Sequence, residues 1–168
     1  MNKHELADEL SQEGSQDLLE NATLLRLAYN GHDGLPRVIP IGFLWNGSEI
    51  VICTVVTSPK VRALKSRPDA ALTIDVGSTP TEARSLLIHG AAKVDIVEGV
   101  PPEYLAAANK SLDSEHAAQF EVEVTKLYDQ MARISIVPTW ARFYDFGAGR
   151  MPSFLQDLVE QKQTEEKS

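Results

Sequence analysis

The sequence predicts a mainly β fold of the α+β class, with six antiparallel strands closed into a small barrel and helices packed on its outside. Several segments alternate apolar and polar residues at period two, which is the pattern of a strand with one buried face. Asn46-Gly47 stands between two apolar runs, and this pair favours a hairpin because both residues tolerate positive φ. The connections between segments are short, which favours antiparallel neighbours, and 168 residues suit a single domain.

The strands follow from the apolar runs and from the turn residues between them. They are predicted at 23–29, 35–45, 49–56, 70–76, 84–97 and 133–137, with 139–146 extending the last one past Pro138. In the longest strand Leu86 and Ile88 share an apolar face, and His89 lies on the polar face. Gly90 interrupts the apolar face, which indicates a bulge or the close approach of another backbone.

The helices follow from capping and spacing signals. They are predicted at 3–21 (as one or two short surface helices interrupted at Gly14), 58–67, 103–110 and 114–130. Ser58 is a good N-cap, Pro59 suits the first helical position, and Pro68 ends that helix. From Asp157 the chain is polar, and we expect it to fray. The predicted division is therefore a helical segment at 1–21, a barrel domain at 22–150 and a polar tail at 151–168.

Charge and composition exclude several classes of protein. The chain has 16 basic and 24 acidic side chains, a net charge of −8, which argues against binding to duplex nucleic acid or to anionic lipid. No apolar run approaches the roughly 20 residues of a membrane span, and the polar N-terminus does not resemble a signal peptide. The single cysteine, Cys53, cannot form an internal disulfide. The expected location is therefore the cytoplasm.

One ten-residue window stands out from the acidic background. Lys60, Arg62, Lys65 and Arg67 fall together with no acidic residue among them. Lys60 lies in the first turn of its predicted helix, where free backbone N–H groups and the helix dipole favour an anion. Ser58 adds a hydroxyl at the cap, so the pair is a candidate phosphate site. The alternative is a solvated helix face on which Lys and Arg are ordinary helix formers.

Residues for acid–base or metal chemistry are not apparent elsewhere. The four histidines, His4, His32, His89 and His116, do not have metal-ligand spacing. Cys53 lies in an apolar strand, which favours a buried, inert thiol over a nucleophile paired with a histidine. Trp140 and the aromatic residues after it form either a stacking surface for an aromatic ligand or an edge that covers the core. No catalytic side chain is predicted, and a phosphate site without such groups suits a reaction carried by a cofactor.

Four segments in series carry a family resemblance. They are Ala-Thr-Leu at 22–24 followed by Asp-Gly-Leu-Pro-Arg-Val-Ile-Pro-Ile-Gly-Phe at 33–43, Thr-Val-Val-Thr-Ser-Pro-Lys at 54–60, Arg-Ser-Leu-Leu-Ile-His-Gly at 84–90, and Met-Ala-Arg-Ile-Ser-Ile-Val-Pro at 131–138. In this order they resemble the pyridoxamine-phosphate-oxidase-like split β-barrel proteins that bind flavin. The resemblance covers about 22 to 146 and implies a six-stranded antiparallel split barrel that forms a homodimer with two cofactor sites across the interface.

The resemblance also implies roles for individual residues. Lys60, Ser58 and Thr54 would hold the cofactor phosphate, and Arg37, Val38, Ile39 and Pro40 would line the isoalloxazine. Ser85 stands where the oxidase has a glutamine against the ring, and Pro59 stands where it has an arginine. The oxidase's C-terminal Arg and His pattern is not evident, so oxidation of pyridoxamine phosphate itself is not expected. The ending at Pro138-Thr139-Trp140 is more similar to a broad branch that includes deazaflavin-dependent reductases.

Three functions follow as hypotheses. The first is an FMN-binding oxidoreductase that transfers a hydride between bound flavin and a small substrate. The second is a reductase that uses the deazaflavin coenzyme F420, whose polyglutamyl tail needs an extended basic groove that Lys65 or Arg67 could begin; the overall acidity favours FMN. The third is a flavin or haem carrier or sensor without turnover, for which His89 is the candidate axial ligand.

Overall fold

The computed structural model describes residues 1–166 and contains one antiparallel sheet with helices around it. The strands are β1 (Leu24–Asn30), β2 (Pro36–Gly42), β3 (Leu44–Trp45), β4 (Ile50–Thr54), β5 (Asp69–Val76), β6 (Arg84–Glu98) and β7 (Gln130–Asp145). The helices are α1 (Lys3–Ser11), α2 (Glu13–Asn21), α3 (Pro59–Ser66), α4 (Pro102–Asn109), α5 (Ser114–Leu127) and α6 (Ser153–Glu166). The α+β class and the antiparallel pairing predicted from the sequence are confirmed.

The sheet has seven strands in the order β2-β1-β5-β6-β7-β4-β3. The predicted single strand at 35–45 is wrong in detail, because β2 pairs with β1 while β3 pairs with β4 at the other end of the sheet. One straight strand cannot pair with both ends, so the chain changes direction at Phe43, whose side chain is fully buried. The two edge strands of the sheet, β2 and β3, are joined by the chain and not by hydrogen bonds between strands. This leaves a split in the barrel between β2 and β4, and α4 packs over it against β2, β3 and β4.

The interior of the barrel is lined by the alternate apolar residues of the strands. Leu86 and Ile88 on β6 are fully buried, and His89 is exposed, as their alternation predicts. The register between β6 and β7 shifts at His89/Gly90, which confirms the predicted bulge. A Cβ on Gly90 would lie 2.5 Å from the carbonyl oxygen of Val137, so this position has no room for a side chain.

The two N-terminal helices were predicted to lie on the surface, but the structure packs them against the barrel. Leu18 and Leu19 of α2 are at most 1% exposed and pack into the same core as the barrel strands. Glu9 of α1 is also buried; its carboxylate accepts hydrogen bonds from the backbone N–H of Phe143 and from Arg142 and Arg150. An apolar barrel interior needs a cover, and these helices supply it.

The C-terminal part agrees with the prediction in the continuation of its last strand past Pro138 and differs from it in the tail. Residues 130–145 form one continuous strand, and Pro138 is accommodated opposite Gly90, next to the register shift. The tail expected to fray from Asp157 is instead part of α6, of which Phe154 and Leu158 are exposed; residues 167 and 168 of that tail lie outside the described residues. Within 1–166, no helix is both long enough and apolar enough to cross a membrane.

Candidate functional site

The predicted phosphate residues converge where β4 leads into α3. The Nζ of Lys60 donates to the Oγ of Ser58 at 2.6 Å and to the Oγ1 of Thr54 at 3.4 Å. Ser58 occupies the N-cap position and Pro59 follows it, as predicted, but the Ser58 hydroxyl does not cap the backbone. Its oxygen instead accepts a hydrogen bond from the amine of Lys60. The result is a cluster of one ammonium and two hydroxyls at the positive end of a helix.

The electrostatic state of Lys60 is unusual for a lysine near the surface. Partial burial of the side chain lowers the pKa of its amine, because the charged form loses hydration. No carboxylate among the described residues lies within ion-pair distance of this amine. An ammonium that is partly desolvated and faces only hydroxyls is therefore left without a counter-ion, and a phosphate would supply one.

A cleft of about 830 Å³ opens beside this cluster. Ser58, Arg62 and Lys65 line it from the α3 side, and Arg37 and Tyr29 line it from the first hairpin. The residues of the basic window therefore lie in different places. Lys60 belongs to the hydroxyl cluster, while Arg62 and Lys65 face the cleft. The last member, Arg67, donates to the carbonyl oxygen of Gly31 at 3.0 Å and holds the β1–β2 turn against the end of α3.

Two of the basic groups in the cleft already have partners. Arg37 forms an ion pair with Asp33 at 2.7 Å, and this hydrogen bond lowers the pKa of the Asp33 carboxyl. Arg62 lies 3.1 Å from the Nε2 of His32. Both contacts are exposed to solvent, so an incoming anionic ligand can compete for either guanidinium. Tyr29 was not among the sequence candidates, because a strand tyrosine carries no signal that separates lining a cleft from filling a core.

The other β2 candidates lie along an edge of the sheet. Val38 is 66% exposed, Pro40 is exposed, and Ile39 is half-buried against the core. Proline is tolerated here because the outer side of an edge strand needs no N–H donor. Side chains alternate along a strand, so Arg37 and Ile39 point to one side of β2, where Arg37 lines the cleft, whereas Val38 and Pro40 point to the outer face of the sheet.

The structure does not bring Trp140 and Ser85 to this cleft. Trp140 lies on the outer face of β7, where its ring stacks on that of His89 with centroids 4.5 Å apart. Val38 and Trp140 belong to one cross-strand row that also contains Ala28 and Ala71. Four strand spacings separate the two residues, which is about 19 Å along the sheet.

Ser85 is equally remote from the α3 cleft. It pairs with Asp75 on β5 and Tyr144 on β7, close to the opposite end of the long strands. Ser85 lies four residues from His89 on β6, a separation of about 13 Å along the strand. Within one chain the nine predicted cofactor residues therefore do not form one site. Arg37 and the Lys60 cluster lie at the cleft, Val38 and Pro40 lie on the outer face of β2, and Ser85 and Trp140 lie on the outer face of β6 and β7.

Other chemistry-bearing side chains do not form a site. No group of three or more His, Cys, Asp or Glu residues within 1–166 could hold a metal ion. Burial raises the pKa of the Cys53 thiol to about 12, with a smaller contribution from Glu103. Cys53 is buried, as its apolar strand predicts, and its thiol is neutral at physiological pH.

Comparison with protein families gives one match. The sequence model of the pyridoxamine 5′-phosphate oxidase family matches residues 11–131, which is most of the chain. No curated protein sequence matches.

Solved structures resemble the whole fold. A conserved hypothetical protein from Mycobacterium tuberculosis is 21% identical with a TM-score of 0.57; the match covers 90% of this chain and 89% of that one. An F420 reductase is 25% identical with a TM-score of 0.58, over 77% of this chain and 97% of that one. A haem-binding protein from Mycobacterium smegmatis is 20% identical with a TM-score of 0.55, over 84% of this chain and 57% of that one.

Proposed function

Because this chain belongs to the pyridoxamine 5′-phosphate oxidase family, we propose that it is an oxidoreductase that binds FMN through the Lys60 cluster and transfers a hydride between the flavin and a small substrate. The observation that carries the proposal is the amine of Lys60, which is partly desolvated, bonded to two hydroxyls and without a carboxylate partner in the described chain. A phosphate monoester completes that arrangement, since it accepts charge-assisted hydrogen bonds from all three groups.

Each part of the site has a separate task in this proposal. Lys60, Ser58 and Thr54 hold the phosphate, and Arg37 to Pro40 on β2 orient the ring system and keep water from one side of it. When bound, the flavin supplies the hydride chemistry. The chain itself contributes binding and orientation, which is consistent with the neutral, buried state of Cys53. The absence of the oxidase's C-terminal Arg and His pattern favours a substrate other than pyridoxamine phosphate.

The distance between the two groups of candidate residues supports a homodimer. Along the sheet of one chain, Trp140 lies about 19 Å from Val38, and Ser85 lies three strand spacings, at least about 14 Å, from β2, so neither can contact a ring held at β2. A second copy could present its own Trp140 to that ring. Leu24 and Val38 are 50% and 66% exposed on the same outer face, which gives such an interface apolar surface to bury.

A deazaflavin reductase is the second candidate, and two observations favour it. The resemblance to the F420 reductase extends over 97% of that protein and 77% of this chain. In addition, Arg62 and Lys65 line the cleft beside the Lys60 cluster and give it a basic wall, as an acidic tail on the cofactor would require. A haem carrier is the third candidate, supported by the resemblance to a haem-binding protein and by the exposed imidazole of His89.

One titration distinguishes the three candidates. The purified protein is stripped of bound ligand and titrated separately with FMN, coenzyme F420 and haemin, and binding is followed by absorbance and by flavin or deazaflavin fluorescence. Saturable binding of FMN alone supports the leading proposal, and binding of F420 alone replaces it with the second. Haem binding that His89→Ala abolishes supports the third. If none of the three binds, the cofactor proposal fails.

A further inference from the structure

A second cavity, of about 340 Å³, lies on the far side of β4 from Lys60. Side chains alternate across a strand, so Thr54 reaches the Lys60 amine while its neighbour Cys53 points the other way, into a small apolar cluster beneath α4. The cavity is bounded by Cys53, by Ile41 at the end of β2, by Tyr104 and Ala108 on α4, and by Phe120 on α5. It shares no residue with the α3 cleft.

The topology of the sheet explains why this space is open. β3 is two residues long and pairs only with Ile50 and Val51 of β4. On that side, Cys53 therefore has no neighbouring strand, and β2 pairs only with β1. The unpaired edges of β2 and β4 face the split, and α4 and α5 roof it. Protein interiors leave few voids larger than a water molecule, whereas this cavity falls in the size range of pockets for small ligands, about 300–1,000 Å³.

The residues that line the cavity indicate an uncharged ligand. No charged side chain of residues 1–166 lines the cavity. Burial raises the pKa of both the Cys53 thiol and the Tyr104 phenol, so both are neutral at physiological pH. Arg133, which pairs with Cys53 across β4 and β7, is already bonded to Glu103 at 2.9 Å. A charged ligand would lose its hydration here without gaining a partner.

The aromatic residues define its shape. Tyr104 and Phe120 are 5.7 Å apart between ring centroids and tilted by 31°, so they present two ring surfaces to the cavity. The alanines on α4 leave room beside these rings, and the hydroxyls of Tyr104 and Ser111 are polar groups at the boundary. Offset or edge contacts with such rings favour another aromatic system.

We propose that the cavity at the barrel split binds a small, neutral, aromatic molecule, independently of the phosphate-binding cleft. Indole is a suitable probe, because it is neutral and bicyclic and has one N–H donor. Indole-3-acetate carries the same ring with a carboxylate and should be excluded. The proposal does not depend on which cofactor the α3 cleft holds, because β4 separates the two spaces.

The single cysteine of the chain makes the test specific. Cys53 lines the cavity, so its modification by methyl methanethiosulfonate, followed by mass, reports on this space alone. By mass action, indole at ten times its dissociation constant should slow the modification about elevenfold. Indole-3-acetate at the same concentration should leave the rate unchanged. Equal protection by both probes, or by neither, overturns the proposal.

Two substitutions of the same kind separate cavity binding from non-specific effects. Ala108→Phe fills the cavity and should abolish protection by indole, whereas Ala118→Phe, at an exposed position on α5, should retain it. If Ala108→Phe does not fold, Ala107→Leu is the smaller filling variant. A calorimetric titration of indole into the unmodified protein and into each variant is the second measurement. Binding that the filling variant leaves intact would place indole elsewhere and refute the assignment.

Discussion

Replacement of Lys60 by alanine tests the central feature of the candidate site. In the ligand-free protein the amine has lost hydration and has only Ser58 and Thr54 as partners. The variant removes that charge, and the Ser58 hydroxyl becomes free to accept from the first backbone N–H groups of α3. The same change removes the strongest donor to a bound phosphate. The substitution should therefore have opposite effects on the free and the cofactor-bound protein.

The magnitude follows from the type of contact. A charge-assisted hydrogen bond to phosphate contributes about 1.5–3 kcal/mol. At 1.4 kcal/mol for each factor of ten, Lys60→Ala should weaken cofactor binding roughly 10- to 150-fold. The free protein should be at least as stable as the wild type, because a charged group with a lowered pKa is less favourable in the folded chain than in water.

The pH dependence supplies a second readout. The pKa of Lys60 in the folded chain lies below its ordinary value of 10.5. Between those two values the unfolded chain binds more protons, so the Lys60 contribution to stability rises with pH and is least favourable at neutral pH. Lys60→Ala should lack that rise, which chemical denaturation at a series of pH values up to 10.5 would measure.

Lys126→Ala provides the matched control, because Lys126 is an exposed lysine on α5. Fluorescence titration with FMN, or with F420 if that cofactor binds, gives the dissociation constants of the wild type and both variants. Lys126→Ala should bind as the wild type does. If Lys60→Ala binds the cofactor with unchanged affinity, Lys60 belongs to an ordinary solvated helix face and the proposed phosphate site is refuted.

Three further predictions concern other parts of the chain. Gly90→Ala places a Cβ 2.5 Å from the Val137 carbonyl oxygen and should destabilise the fold by about 1–3 kcal/mol in urea unfolding; an unchanged midpoint would contradict the close approach. Glu9→Ala leaves the Phe143 N–H and two arginines without their acceptor and should cost about 3 kcal/mol by the same assay, while a loss below 1 kcal/mol would show that α1 is not anchored there. Native Cys53, with a pKa of about 12, should react slowly with a thiol reagent at pH 8 and faster as the pH rises towards that value; rapid native modification at pH 8 would show an exposed thiolate.

The strands could be predicted because their faces differ locally. On β6 the alternation of Leu86 and Ile88 with His89 identifies the buried face without reference to any other strand. Gly90 could also be interpreted, because a glycine on an apolar face has few local explanations. The division of 35–45 into β2 and β3 could not be predicted, because both halves contain residues typical of strands. The break depends on the strand with which each half pairs.

The N-terminal helices show a different limit. Leu18 and Leu19 lie in a polar, acidic segment, and their spacing alone suits a surface helix. Their burial depends on the open end of the barrel, which is built by strands far away along the chain. The two arginines that meet Glu9 come from β7 and the turn after it, more than 130 residues away. No local pattern contains such contacts.

The sequence by itself determined the class of fold, the positions of most strands along the chain and the position of a basic helix start, because alternation, turn residues and capping are local properties. It also identified Lys60, Ser58 and Thr54, which lie within seven residues of one another. Only the tertiary structure decided that their polar atoms meet and that Trp140 and Ser85 lie far from them. The physical reason is that strand order and curvature set distances across a sheet, and these depend on pairing between segments that are remote in the chain.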